Sequence, residues 1–180
     1  TEGIEGTGVR ATVIGEIGTS KDITETEAKV FRAASRAHAE TGAPICTHTT
    51  LGTRGLEQLE IFKSFGVDLS HIDLSADLDY MKRLLDQGVN IAFDTIGKCN
   101  YQPDVSRADW LSRLCAEGYD TQIVMSMDIT RRSNFADRGG VGYSYLLDTF
   151  APLASEAGVP DRAWENLLYR NALRIYKGQK

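Results

Sequence analysis

Gln122-Ile123-Val124-Met125-Ser126-Met127-Asp128 is a short apolar run that closes on a carboxylate. Its length and continuous apolar character suit a strand buried on both faces, the kind found in parallel sheets. Upstream, residues 105–117 carry a helical pattern stopped by Gly118, and before them Asn90-Ile91-Ala92-Phe93-Asp94 repeats the strand. The same cadence of amphipathic helix, glycine and apolar run ending in a polar residue recurs towards the N-terminus. Asp77 caps a helix with Leu78, Met81, Leu84 and Leu85 that ends near Gly88. Leu56, Leu59, Ile61, Phe62 and Phe65 form a second helix before Gly66.

The first helix has the clearest boundaries. Thr24 is its N-cap, Glu27 completes a capping box three residues later, and Gly42 stops it. Pro44-Ile45-Cys46-Thr47-His48 follows as a strand, and Val13-Ile14-Gly15-Glu16-Ile17-Gly18-Thr19-Ser20 precedes the helix as another. Strands alternating with helices predict an α/β chain with a parallel sheet. Gly139-Gly140-Val141-Gly142 predicts a loop, and the helical region from Tyr143 onward should be interrupted at Pro152 and Pro160. The triple glycine lacks both the GxGxxG spacing and the lysine of a phosphate-binding loop.

The totals narrow the function classes. In 180 residues, 42% hydrophobic and 25% charged, a single globular domain spanning residues 1–180 is expected. The net charge of -5, with no basic stripe, argues against a nucleic-acid partner. No apolar run approaches the roughly 20 residues of a membrane helix, so a cytoplasmic protein with no membrane partner is expected. Cys46, Cys99 and Cys115 lack CxxC spacing and read as reduced thiols.

Glu16, His48, Asp94 and Asp128 all fall at or near the C-terminal ends of predicted parallel strands, the edge where α/β sites are built. His71 follows Gly66 at the equivalent place, in a unit too short and polar for a good buried strand. Glu16 reads either as a buried acid needing a partner or as a metal ligand. His38, beside Ala37 and Ala39 on a helix, reads as structural. Two imidazoles and two carboxylates suit zinc or a related divalent ion, and carboxylates can bridge two metals. Metal coordination would bring water towards ionisation near neutral pH, which points to hydrolysis, with Asp128 able to take the proton. No GxSxG elbow or supported cysteine nucleophile competes.

At these residues the chain resembles the phosphotriesterase-related family of the amidohydrolase superfamily. The pieces that carry the resemblance, in the family's order, are GVRATVIGEIGTS (8–20), EAKVFRAA (27–34), TGAPICTHT (41–49), GLEQLEIF (55–62), SHIDLSADLDYM (70–81), AFDTIGK (92–98), IVMSMDITRRS (123–133) and GGVGYSYLL (139–147). The resemblance implies a (β/α)8 TIM barrel with a two-metal site, zinc being the first expectation. This chain would be its C-terminal part, about strands 4 to 8, incomplete at the N-terminus and with the sixth strand curtailed near 69–71.

By the same resemblance Glu16 matches the residue that bridges the two metals, and His48 and His71 match ligands of the more exposed ion. Asp128 matches the ligand of the more buried ion and the catalytic proton acceptor. Asp73 and Asp94 are expected to orient ligands, while Thr95, Lys98, Arg131 and Arg132 are expected near the substrate. Thr95 stands where the paraoxon-hydrolysing members have a relay histidine. The implied activity is a divalent-metal-dependent hydrolase in which a metal-bridging hydroxide attacks an ester, lactone, amide or phosphoester of a small molecule. The alternative is a non-catalytic small-molecule-binding barrel that retains a vestigial metal site. A homodimer is among the assemblies this reading allows.

Overall fold

The computed structural model describes residues 3–67, 71–73 and 77–177, of which Leu51 and residues 71–73 are described by backbone alone. Among the described residues five strands form one sheet: β1 (Ile14–Thr19), β2 (Ile45–Thr49), β3 (His71–Asp73), β4 (Ile91–Phe93) and β5 (Ile123–Met125). All neighbours are parallel and the spatial order is β1-β2-β3-β4-β5, the order of the sequence. Each crossover carries one helix: α1 (Glu25–Thr41), α2 (Gly55–Lys63), α3 (Leu78–Leu85) and α4 (Asp104–Ala116). A parallel sheet whose neighbours follow in sequence order, with a helix in each crossover, has the strand order of a (β/α) barrel wall.

The core lies between the sheet and these helices. Phe31 of α1 and Phe62 of α2 are fully buried with ring centroids 5.1 Å apart, and Ile45, Ile91 and Ile123 of the sheet belong to the same cluster. Large buried side chains such as these contribute about 1.5–3 kcal/mol each relative to exposure. On the other face, the register sets Gly18 beside His48, and Asp73 beside Ala92. Ala92 and Val124 of that face pack with Ile175 of the terminal helix α7 (Asn171–Tyr176).

The capping box of α1 is formed as its sequence predicts. The Thr24 hydroxyl accepts from the Glu27 N–H at 3.2 Å, and Glu27 accepts in return from Thr24 N–H at 2.7 Å. Glu27 also accepts from Ser20 N–H and Ser20 Oγ at 2.8 and 2.6 Å, tying the end of β1 to the start of α1. These donors, the Ser20 hydroxyl first, hold the Glu27 carboxyl down at about 2. A carboxyl lower in the folded chain than its ordinary 4.5 stabilises above pH 4.5 and loses that stabilisation as the pH falls towards 2. Glu27→Gln should therefore lower the melting temperature by roughly 2–4 °C at pH 7. Melting curves should show that gap closing below pH 4.5.

His38 closes the other end of α1, its Nδ1 2.8 Å from the Ala43 carbonyl, in the structural role expected of it. Pro152 does not interrupt its helix. Residues Leu146–Phe150 form a widened turn in which Ala151 N–H reaches back to Leu146 O, and the helix continues as α5 (Ala151–Glu156). A wide turn removes the clash that a proline ring makes with a normal helix. Pro160 does mark a boundary, standing as N-cap of α6 (Asp161–Glu165), which leads through a second widened turn into α7.

Candidate functional site

The C-terminal edge of the sheet brings Glu16 and His48 together. The register of β1 on β2 advances three residues on β1, from Ile14 to Ile17, against two on β2, from Ile45 to Thr47. Glu16 sits in this bulge, a device that re-aims a side chain at a sheet edge. Its Oε1 stands 3.4 Å from His48 Nδ1, with the two side chains 55% and 47% exposed. Glu16 is thus no buried acid: the bulge turns its carboxylate out of the apolar layer and onto the imidazole.

Gln58 of α2 supports this pair from below. It is fully buried, and its Nε2 donates to Thr19 Oγ1 at 2.8 Å and to the His48 carbonyl at 2.9 Å. Gln58 joins the ends of β1 and β2 and thereby fixes the backbone that carries His48. It falls on the stripe Gly55, Gln58, Leu59, Phe62 that α2 buries, a spacing legible in the sequence.

Asp128 lies three residues beyond β5 with a φ of 45°, a left-handed conformation that aspartate tolerates better than most residues. Its Oδ2 accepts from Lys98 Nζ, and Lys98 is only 16% exposed. Lys98 therefore converges on the strand-end edge, whereas Arg131 and Arg132 project into solvent from the loop after Asp128. Thr95 Oγ1 accepts from Arg107 Nη2 at 2.9 Å, which ties Thr95 to α4. Asp94 is half-buried directly after β4.

His71 belongs to β3, where its register partner is Cys46, two positions nearer the N-terminal edge than His48. The side chains of His71 and Asp73, and the curtailed segment just before His71, lie outside the described residues.

Among the described residues no group of three or more His, Cys, Asp or Glu stands close enough to hold a metal ion. The chemistry of the Glu16 and His48 pair fits a divalent ion nonetheless: a carboxylate and an imidazole in contact, both open to solvent, are donors that zinc accepts. All three cysteines are free thiols. Burial pushes the Cys115 thiol up to about 12, which makes it a poor nucleophile. A cavity of about 450 Å³ lined by Thr121, Asn166, Arg170 and Arg174 opens before β5, at the opposite end of the strand from Asp128. No helix of the described residues is long and apolar enough to cross a membrane.

Comparison with known proteins places this geometry in a family. The profile of the Phosphotriesterase family matches residues 1–176. A phosphotriesterase homology protein of Escherichia coli is 44% identical, over 98% of this chain and 62% of its own length. The N-acetyltaurine hydrolase of Dictyostelium discoideum is 32% identical over 96% of this chain and 51% of its own. The crystal structure of the Escherichia coli protein, complexed with phosphate in its active site, superposes with a TM-score of 0.92 at 42% identity, covering 97% of this chain and 62% of that one. A lactonase from Listeria monocytogenes superposes with a TM-score of 0.89 at 31% identity, covering 99% and 58%. The chain thus spans between half and two thirds of the length of these relatives. With the match running through every strand and helix described above, the chain belongs to the phosphotriesterase family.

Proposed function

We propose that this protein is a divalent-metal-dependent hydrolase that cleaves an ester, lactone, amide or phosphoester bond of a small molecule at the C-terminal edge of its sheet. In this reading the five strands are strands four to eight of a (β/α)8 barrel. The observation that carries it is the contact of Glu16 Oε1 with His48 Nδ1 at 3.4 Å. Family membership supports the reaction class, and the relatives include a hydrolase of N-acetyltaurine and a lactonase.

Glu16, His48, His71 and Asp128 would hold two divalent ions; zinc suits such carboxylates and imidazoles. When bound, the metal supplies a Lewis acid and brings water towards ionisation near neutral pH. Asp128 accepts the proton released as water attacks, and Lys98 Nζ aims its carboxylate. Gln58 keeps the His48 backbone in place. Asp73 and Asp94 orient the ligands, and Arg131 and Arg132 meet an anionic end of the substrate from the loop after Asp128.

A panel of one lactone, one N-acyl amide and one phosphoester tests the reading. Zinc-loaded protein should hydrolyse at least one of them, lose the activity on chelation and regain it on zinc addition. Full metal occupancy without turnover of any of the three would contradict it and favour a barrel that holds a small molecule without converting it.

A further inference from the structure

We propose that the buried Asp104–Arg107 pair, together with the half-buried Tyr145, forms a clamp that positions the loop after β4 against the segment after β5, and so sets Lys98 on Asp128. They are positioning residues, and the inference rests on the function proposed above. Arg107 and Asp104 are 3% and 5% exposed, one helical turn apart at the start of α4, and joined Nη1 to Oδ1 at 2.7 Å. Replacing such a buried ion pair with apolar residues of similar volume is often neutral or stabilising, so fold stability alone gives no strong reason for it.

What the pair does that apolar side chains could not is hold the loop between β4 and α4. Arg107 donates to Thr95 Oγ1 at 2.9 Å, to the Lys98 carbonyl at 3.4 Å and to the Gln102 carbonyl. Asp104 accepts from the Gly97 N–H at 3.2 and 3.1 Å. Four polar groups of the loop that carries Lys98 thus end on two side chains. A guanidinium presents its donors in a rigid fork, so these contacts fix the loop's path and not merely its proximity.

The segment after β5 is tied to the same carboxylate where its loop enters the next helix. The Tyr145 hydroxyl donates to Asp104 Oδ2 at 3.0 Å. Burial, and then this bond, push the Tyr145 phenol above its ordinary range, which keeps it a neutral donor. Gly97, at φ +85°, lies so close to that loop that a Cβ would come within 3.1 Å of Val141 Cγ2 and 3.2 Å of the Tyr145 ring. The two segments meet at Gly97 and are bonded through Asp104; Lys98 follows Gly97 directly, and its Nζ pairs with Asp128 shortly after β5.

Arg107→Lys and Tyr145→Phe test the clamp. Lysine keeps the charge beside Asp104 but cannot span Thr95 and the Lys98 carbonyl; phenylalanine keeps the ring and removes one donor. Amide exchange of Gly97 and Lys98 in the substrate-free protein should accelerate about tenfold or more in each variant. In the zinc-loaded protein kcat should fall by roughly 10- to 100-fold with KM changed by less than about threefold, because displacing Asp128 impairs the chemical step and not ground-state binding. Unchanged exchange at Gly97 and Lys98 in both variants would overturn the clamp, as would a fall in kcat no larger than the fall in folded fraction. The exchange measurement needs no substrate, so a wild-type protein without turnover would refute the proposed function while leaving the clamp to be judged by exchange.

Discussion

Arg107→Ala should destabilise the protein by about 3–5 kcal/mol in urea unfolding, the range for removing one partner of a buried ion pair. Its guanidinium and the Asp104 carboxylate are both almost wholly excluded from solvent. Alanine would leave Asp104 charged, buried and bonded only to Gly97 N–H and the Tyr145 hydroxyl. The loss should come from the uncompensated charge more than from the missing contact. The double variant Asp104→Leu, Arg107→Met should therefore recover at least part of the stability, although its loop would no longer be bonded to α4. A single-variant loss below about 1 kcal/mol would mean that water reaches Asp104 and that the pair is not buried in solution.

Asp128→Asn should have the opposite profile. The Lys98–Asp128 pair is partly exposed, with Asp128 at 41%, and such pairs contribute about 0–1 kcal/mol. Asparagine also tolerates the left-handed backbone at this position. Stability should thus barely change. Activity should fall by about 10²–10⁴-fold in kcat/KM, the range for losing a positioned general base, because the amide neither takes the proton nor holds Lys98 as an ion pair. Steady-state kinetics on whichever panel substrate turns over, beside a melting curve, separates the two effects. Full activity in the asparagine variant would remove Asp128 from the chemistry.

Most of the architecture is legible in the residues, because it is written in local signals. Thr24 with Glu27 marks the start of α1, Gly42 its end, Asp77 the start of α3, and the alternation of apolar runs with helices implies the parallel sheet. Register is less legible. The bulge at Glu16 exists only in how β1 meets β2, so a residue that the sequence offers as a buried acid or a metal ligand stands half-exposed against His48. His71 likewise takes its row from Cys46 across the ladder, a relation that no local pattern carries.

The positioning residues are missed for a different reason. Asp104 and Arg107 stand at i and i+3 on α4 and Gln58 on α2, and none of the three belongs to a motif that marks a site. A signal was present in each case: Asp104, Arg107, Ala108, Leu111, Leu114 and Cys115 share the stripe that α4 buries. Charged residues inside an apolar stripe need partners, and here those partners are the loops that bear Lys98 and Asp128.

The proposed function stands on Glu16 as a metal ligand. Metal content per folded chain, measured for the wild type and for Glu16→Gln after equilibration with zinc, tests it most directly. The wild type should hold zinc in stoichiometric amount, and the variant should hold markedly less while keeping its circular dichroism spectrum. An unchanged stoichiometry in the variant would contradict the claim and leave Glu16 an ordinary strand-edge acid beside His48.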